Sequence, residues 1–103
     1  MPKRPPQARL VRAGAQLGVH LATWRKLQGL TAGQLAERAG IARATLSKLE
    51  SGDLGVSLGA YLNVLRALGQ LDRAIESIDP YETDLGRARA DEVLPKRIRG
   101  SSR

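Results

Sequence analysis

The chain of 103 residues contains no cysteine, no phenylalanine and a single histidine, and its aromatic side chains are Trp24, Tyr61 and Tyr81. Each scarcity excludes something. Without cysteine there is no disulfide and no thiolate metal site, a usage that fits a reducing cytoplasm. With so few aromatics the core has to be built from Leu, Ile, Val and Ala. No run approaches the ~18 consecutive apolar residues that a membrane span needs, and the basic N-terminus is followed by no apolar signal-peptide core. His20 has no second histidine and no neighbouring carboxylate, so it reads as a surface side chain and not as a metal ligand or general base. There is no Gly-rich phosphate loop closed by Lys-Ser/Thr and no Ser, His and Asp set out as a triad. The carboxylates Asp91 and Glu92 fall in a segment ill suited to holding catalytic geometry. The expectation is a small, non-enzymatic cytoplasmic protein with no cofactor, no metal and no membrane partner.

Basic charge is what the chain has in excess. The formal net charge is +7, and it is unevenly spread. Residues 1–12 hold Lys3, Arg4, Arg9 and Arg12 and no acid, and from Val93 onward Lys96, Arg97, Arg99 and Arg103 again face no acid. Cationic ends suit a polyanion such as DNA. They equally fit solvated tails with no partner. Three prolines and little to bury make residues 1–9 an expected extended or disordered arm. The organisation read from this pattern is a basic arm over 1–12, a folded domain over 13–78 and an extension over 79–103.

The stretch from Leu30 to Gly52 organises the rest. Thr31 is a good N-cap, and Leu35, Ala36 and Ala39 recur at helical spacing. Gly40 stands where a left-handed residue ends a helix. A second short helix follows from about Ala42 to Glu50, with Leu46 and Leu49 inward and Arg43, Ala44, Ser47 and Lys48 outward. Two such helices joined by a Gly-containing turn make a helix-turn-helix, whose second helix enters the DNA major groove.

The flanking pattern is helical too. A first helix starting between Leu10 and Gln16 should run to Gln28, with Leu17, Leu21 and Trp24 as its inward stripe and Gly14 and Gly18 weakening it. Gly29 ends it and Leu30 packs beneath the next helix. A fourth helix starts at Ser57 with Leu58, Leu62, Leu65 and Leu68 on one stripe, and a fifth spans Leu71 to Ile78. Apolar residues left over near Tyr61, Leu71 and Ile78 would offer a dimer surface. A further short helix over Asp84 to Val93 is allowed by the pattern, and KRIRGSSR reads as flexible.

The residues Leu30-Thr31, Leu35-Ala36, Ala39-Gly40-Ile41, Thr45-Leu46-Ser47, Leu49-Glu50 and Ser51-Gly52 resemble the Xre family, the Cro/repressor type of helix-turn-helix regulator. The likeness extends back to Leu17-Gly18 and Arg25 and forward to Leu68-Gly69. It implies an all-α, five-helix repressor-like fold with a flexible basic N-terminal arm and C-terminal tail. It also implies a bacterial, nucleoid-associated homodimer bound to double-stranded operator DNA, and a pair between Arg25 and Glu50 tying the first helix to the third. The residue after Thr31, often a phosphate-contacting Gln in that family, is here Ala32, which leaves Gln34 or the helix N-terminus to serve. The phrase LGVSLGAYLNVLRALGQLD and the tail bear a looser likeness to HipB-like antitoxins encoded beside HipA-like kinase toxins, which implies such a toxin as a second partner.

On that reading Arg43, an arginine at the start of a recognition helix, can donate two bonds to guanine. Ala44 can meet a thymine methyl, and Ser47 and Lys48 can reach a base or the backbone. Thr31, Gln34, Thr45, Ser51 and Arg4 are the expected backbone contacts. The amides of the Ser51–Val56 loop are further candidates, with Asp53 turned away from the phosphates.

Overall fold

The structure, a computed structural model, describes residues 7–95. All of its regular elements are helical: α1 Ala8–Leu27, α2 Ala32–Ala39, α3 Arg43–Glu50, α4 Leu58–Ala67, α5 Leu71–Ser77, a short 3-10 turn Pro80–Glu82 and α6 Asp84–Val93. The chain divides into a body, Met1–Leu71, and a C-terminal unit, Asp72–Arg103.

Within the body, α1 and α2 both pack on α3, and α4 packs on α2 and α3. The core is aliphatic as composition requires, built around Leu21, Leu35, Leu46, Val64 and Leu68, with Leu30, Ala36, Ala39, Ala60 and Leu65 completing it. Burying such side chains is the main stabilising term, at about 1.5–3 kcal/mol for each large one. The helices α1 to α4 all stop in the same way. Gly29, Gly40, Gly52 and Gly69 each take a positive φ, and the residue after each donates its amide five residues back, as from Ile41 to the Ala36 carbonyl at 3.0 Å. This glycine hook satisfies carbonyls that a helix end would leave bare.

Three expectations need correction. First, α1 begins at Ala8, so Ala8 and Arg9 are helical and not part of an extended arm; residues 1–6 lie outside the described structure. Second, Leu17 is 47% exposed and Trp24 only half-buried, whereas Gly18 is buried. The inward face of α1 is therefore set by Gly14, Gly18 and Leu21. A Cβ built on Gly18 would lie 2.3 Å from the Glu50 carbonyl oxygen, and one on Gly14 would lie 2.9 Å from the Gly52 carbonyl oxygen. The two glycines admit the end of α3 to the surface of α1, a role that outweighs their cost in helix propensity. Third, α4 buries Ala60, Val64, Leu65 and Leu68 and leaves Leu58 and Leu62 exposed. The fifth helix runs as expected from Leu71, buries none of its residues, and leaves Ile75 and the following Ile78 exposed.

The C-terminal unit is more ordered than a flexible tail. Asp79 caps the 3-10 turn through the Tyr81 amide. Thr83 caps α6 by accepting from the Gly86 amide at 2.9 Å while donating to the Pro80 carbonyl. Arg87 bonds both the Tyr81 carbonyl and Asp84. Gly86 passes against Pro80 so closely that no Cβ would fit. No described residue of this unit is buried, however. Residues 96–103, where flexibility was expected, lie outside the described structure.

Candidate nucleic-acid interface

The α2–turn–α3 unit begins at a reciprocal cap. Thr31 Oγ1 accepts from the Gln34 amide at 3.0 Å, and Gln34 Oε1 accepts from the Thr31 amide at 2.8 Å. A helix start leaves four amides without partners, and this capping box takes two of them. The amides of Ala32 and Gly33 remain, at the positive end of the α2 dipole. A Cβ built on Gly33 would meet only Thr31 Oγ1, at 3.9 Å. Gln34, expected to reach a phosphate, thus spends its carbonyl oxygen on the cap and keeps its side-chain amide as a donor.

The turn puts α3 across α2 with Leu46 fully buried between them. Arg43, Ala44, Ser47 and Lys48 are all exposed and share the opposite face, and Thr45 is half-buried beside them. The side chains of Arg43, Ser47 and Lys48 form no hydrogen bond or ion pair with any described residue. The helix is thus held by one face and free on the other.

What holds the far end of α3 is Arg25. Its Nε donates to Glu50 Oε2 at 2.9 Å and its Nη2 to Glu50 Oε1 at 3.1 Å. Its Nη1 donates to the Leu30 carbonyl at 3.1 Å. Both side chains are 14% exposed. The planar guanidinium matches the carboxylate through two parallel bonds. One residue of α1 therefore fixes the end of α3 and the approach to α2. The hydrogen bond to Glu50 raises the Arg25 pKa, the Glu50 charge adds to it, and burial opposes both.

The loop after α3 departs from expectation. The Ser51, Gly52 and Asp53 amides donate to the carbonyls of Ser47, Leu49 and Lys48, and Val56 donates to the Asp53 carbonyl. The Gly55 amide donates to Asp53 Oδ1 at 2.7 Å. These amides are spent within the chain, so the loop is not the row of phosphate donors the sequence suggested. Ser51 Oγ donates its one proton to the Lys48 carbonyl at 2.8 Å. Arg4 lies outside the described residues.

The glycine seam and the loop's self-satisfaction were both missed in the sequence. Gly14, Gly18 and Leu21 are spaced four and three apart, which puts them on one helical face, and two glycines on the core face of a long helix are a signal of close backbone approach. Thr31 and Gln34 also fit the spacing of a capping box.

An all-helical body with a glycine-hooked helix pair and a free outer face defines a helix-turn-helix domain. The family model described as a helix-turn-helix domain matches residues 16–77, and the chain belongs to that family. Its fold is that of a DNA-binding regulator. No curated protein matches the chain. No helix among the described residues is long and apolar enough to cross a membrane.

Proposed function

We propose that this protein is a sequence-specific repressor of the Xre type, which works in the bacterial cytoplasm and binds operator DNA as a homodimer. Two copies of α3 enter successive major grooves about one helical turn apart. The observation that carries the reading is the outer face of α3, where Arg43, Ala44, Ser47 and Lys48 stand exposed and unbonded. Arg43 reads guanine through two bonds, Ala44 meets a thymine methyl, and Ser47 and Lys48 complete the readout. The Ala32 and Gly33 amides with the Gln34 side chain hold one phosphate, in the way a helix N-terminus favours an anion. Thr31 and Thr45 lie beside the backbone, and Arg4 adds a contact from the arm. Ser51 serves a phosphate only by releasing the Lys48 carbonyl.

The test is binding to the DNA upstream of the protein's own gene, beside random DNA, at two salt concentrations. Selective binding that weakens steeply with salt is expected. Equal, weak binding to both DNAs at low salt would overturn the reading.

A second reading is favoured by the C-terminal unit, where Ile75, Ile78, Tyr81 and Leu85 are all exposed. Such a surface suits an antitoxin that holds a HipA-like toxin as well as its own operator. A stable complex with the neighbouring gene product, lost on removing residues 79–103, is its test.

A further inference from the structure

The C-terminal unit and the body have opposite chemistry. Residues 72–94 carry seven acids and three bases, a net charge of −4, whereas residues 1–71 carry ten bases and three acids, a net charge of +7. The acidic segment is well capped yet buries nothing. Ile75 is 56% exposed, Ile78 84% and Leu85 72%. Short helices with no buried face are marginal in water, and a segment of this length cannot build a core of its own.

The body has a place for such a segment. An open apolar hollow of about 240 Å3 is lined by Leu17, Leu49, Leu54, Val56, Leu58 and Tyr61. Leu58 at its edge is 68% exposed. Two turns up α1 from Leu17 stands Leu10, also exposed. Asp53 is the one acid at the hollow, and no acid occurs in residues 1–36. An apolar trough on a body of net charge +7 is complementary to an apolar segment of net charge −4. Two acidic segments placed against each other would instead repel.

We propose that the hollow is the docking site for the acidic segment 72–94 of a second copy of this chain, exchanged reciprocally so that each body receives the other's segment. The interface is then isologous and closes as a dimer. It rests on the homodimer reading above and names its surface. Because the hollow is walled by Leu49 at the end of α3, occupying it also braces the recognition helix, and dimer formation and DNA reading become coupled.

The experiment is sedimentation equilibrium on the full chain and on two variants, Ile78→Asp in the segment and Leu58→Asp in the hollow. Both positions are exposed, so the helical circular dichroism should be unchanged. Each variant alone should dissociate at least tenfold more readily than the natural chain. Mixed together, the two variants should recover dimers, since one intact segment then meets one intact hollow. A chain ending at Leu94 should remain dimeric, because the basic run 96–103 is outside the docking segment. Variants that dimerise like the natural chain would overturn the proposal while leaving the dimer reading intact. So would a mixture that stays monomeric, which would mean that segment meets segment. A natural chain that is monomeric at all concentrations would overturn both.

Discussion

Gly18 and Glu50 touch backbone to backbone: the α1 surface at Gly18 leaves 2.3 Å between an added Cβ and the Glu50 carbonyl oxygen. The residue whose side chain is bonded by Arg25 is therefore also seated on α1 by its main chain. Gly18→Ala gains helix propensity, at most about 1 kcal/mol, but must push α3 away from α1. The expected net outcome is destabilisation by about 1–3 kcal/mol, as for overpacked cores. A methyl on Gly59 would meet only Ser57 Oγ, at 3.9 Å, an ordinary contact, and Gly59→Ala should stabilise by about 0.4–1 kcal/mol. Urea unfolding of the two variants should give opposite signs; equal signs would remove the seam from the account.

Arg25→Lys keeps the charge and loses the fork. It should cost about 1–3 kcal/mol, the range for hydrogen bonds to charged groups, and a Lys in its place cannot hold both Glu50 and the Leu30 carbonyl in the same geometry. The pH dependence follows from the raised Arg25 pKa. A group whose pKa is higher in the fold contributes fully below its unfolded pKa and loses the contribution only as pH rises through the folded one. Both values lie beyond the ordinary alkaline range. Because the ordinary lysine value is about 10.4, the stability gap between the natural chain and the Lys variant should therefore stay constant between about pH 6 and about pH 9. A gap that closes over that window would mean the pair is not what separates the two proteins.

Thr31→Ala removes the acceptor for the Gln34 amide and should lower stability by about 0.5–2 kcal/mol. Gln34→Ala leaves the Thr31 hydroxyl in place and should cost less. Thermal melts of both in the absence of DNA would expose an error if Gln34→Ala proved the more damaging.

Arg43→Ala should leave the melting temperature of the free protein nearly unchanged, because the side chain is exposed and unbonded. On DNA it should narrow the preference for operator over random sequence by about 1–3 kcal/mol. Deleting residues 1–6, which include Arg4, should instead weaken binding to all sequences alike and reduce the salt slope. Quantitative gel-shift titrations distinguish the two patterns.

Local signals in the sequence were reliable wherever a residue's own chemistry decided the structure. Thr31 and Ser57 cap as their hydroxyls suggest, and Gly29, Gly40, Gly52 and Gly69 end their helices because a positive φ is cheap only for glycine. The Arg25–Glu50 pair, which joins residues 25 apart, came from the pattern of the motif and not from spacing. What sequence periodicity could not give was the rotation of each helix about its axis. Leu58 and Val64 are equally apolar, and only the packing of α2 against α4 decides that Val64 goes in and Leu58 stays out. The same holds for Leu17 against Gly18, where backbone proximity and not side-chain size selects the inner face. The loop after α3 looked like a set of donors because its glycines are visible in the sequence and its carbonyl partners are not.

The division of α3 into a bonded face and an unbonded face has a consequence for how this chain can change. Leu46 and Glu50 anchor the helix to the body, with the half-buried Thr45 and Leu49 beside them, while Arg43, Ala44, Ser47 and Lys48 contribute no bond to it through their side chains. Exposed substitutions away from packing and caps usually shift stability by less than about 0.5 kcal/mol. The lettering on the outer face is therefore interchangeable: a new set of side chains at those four positions leaves the framework that presents them as it is, and on the proposed reading it changes which DNA is bound.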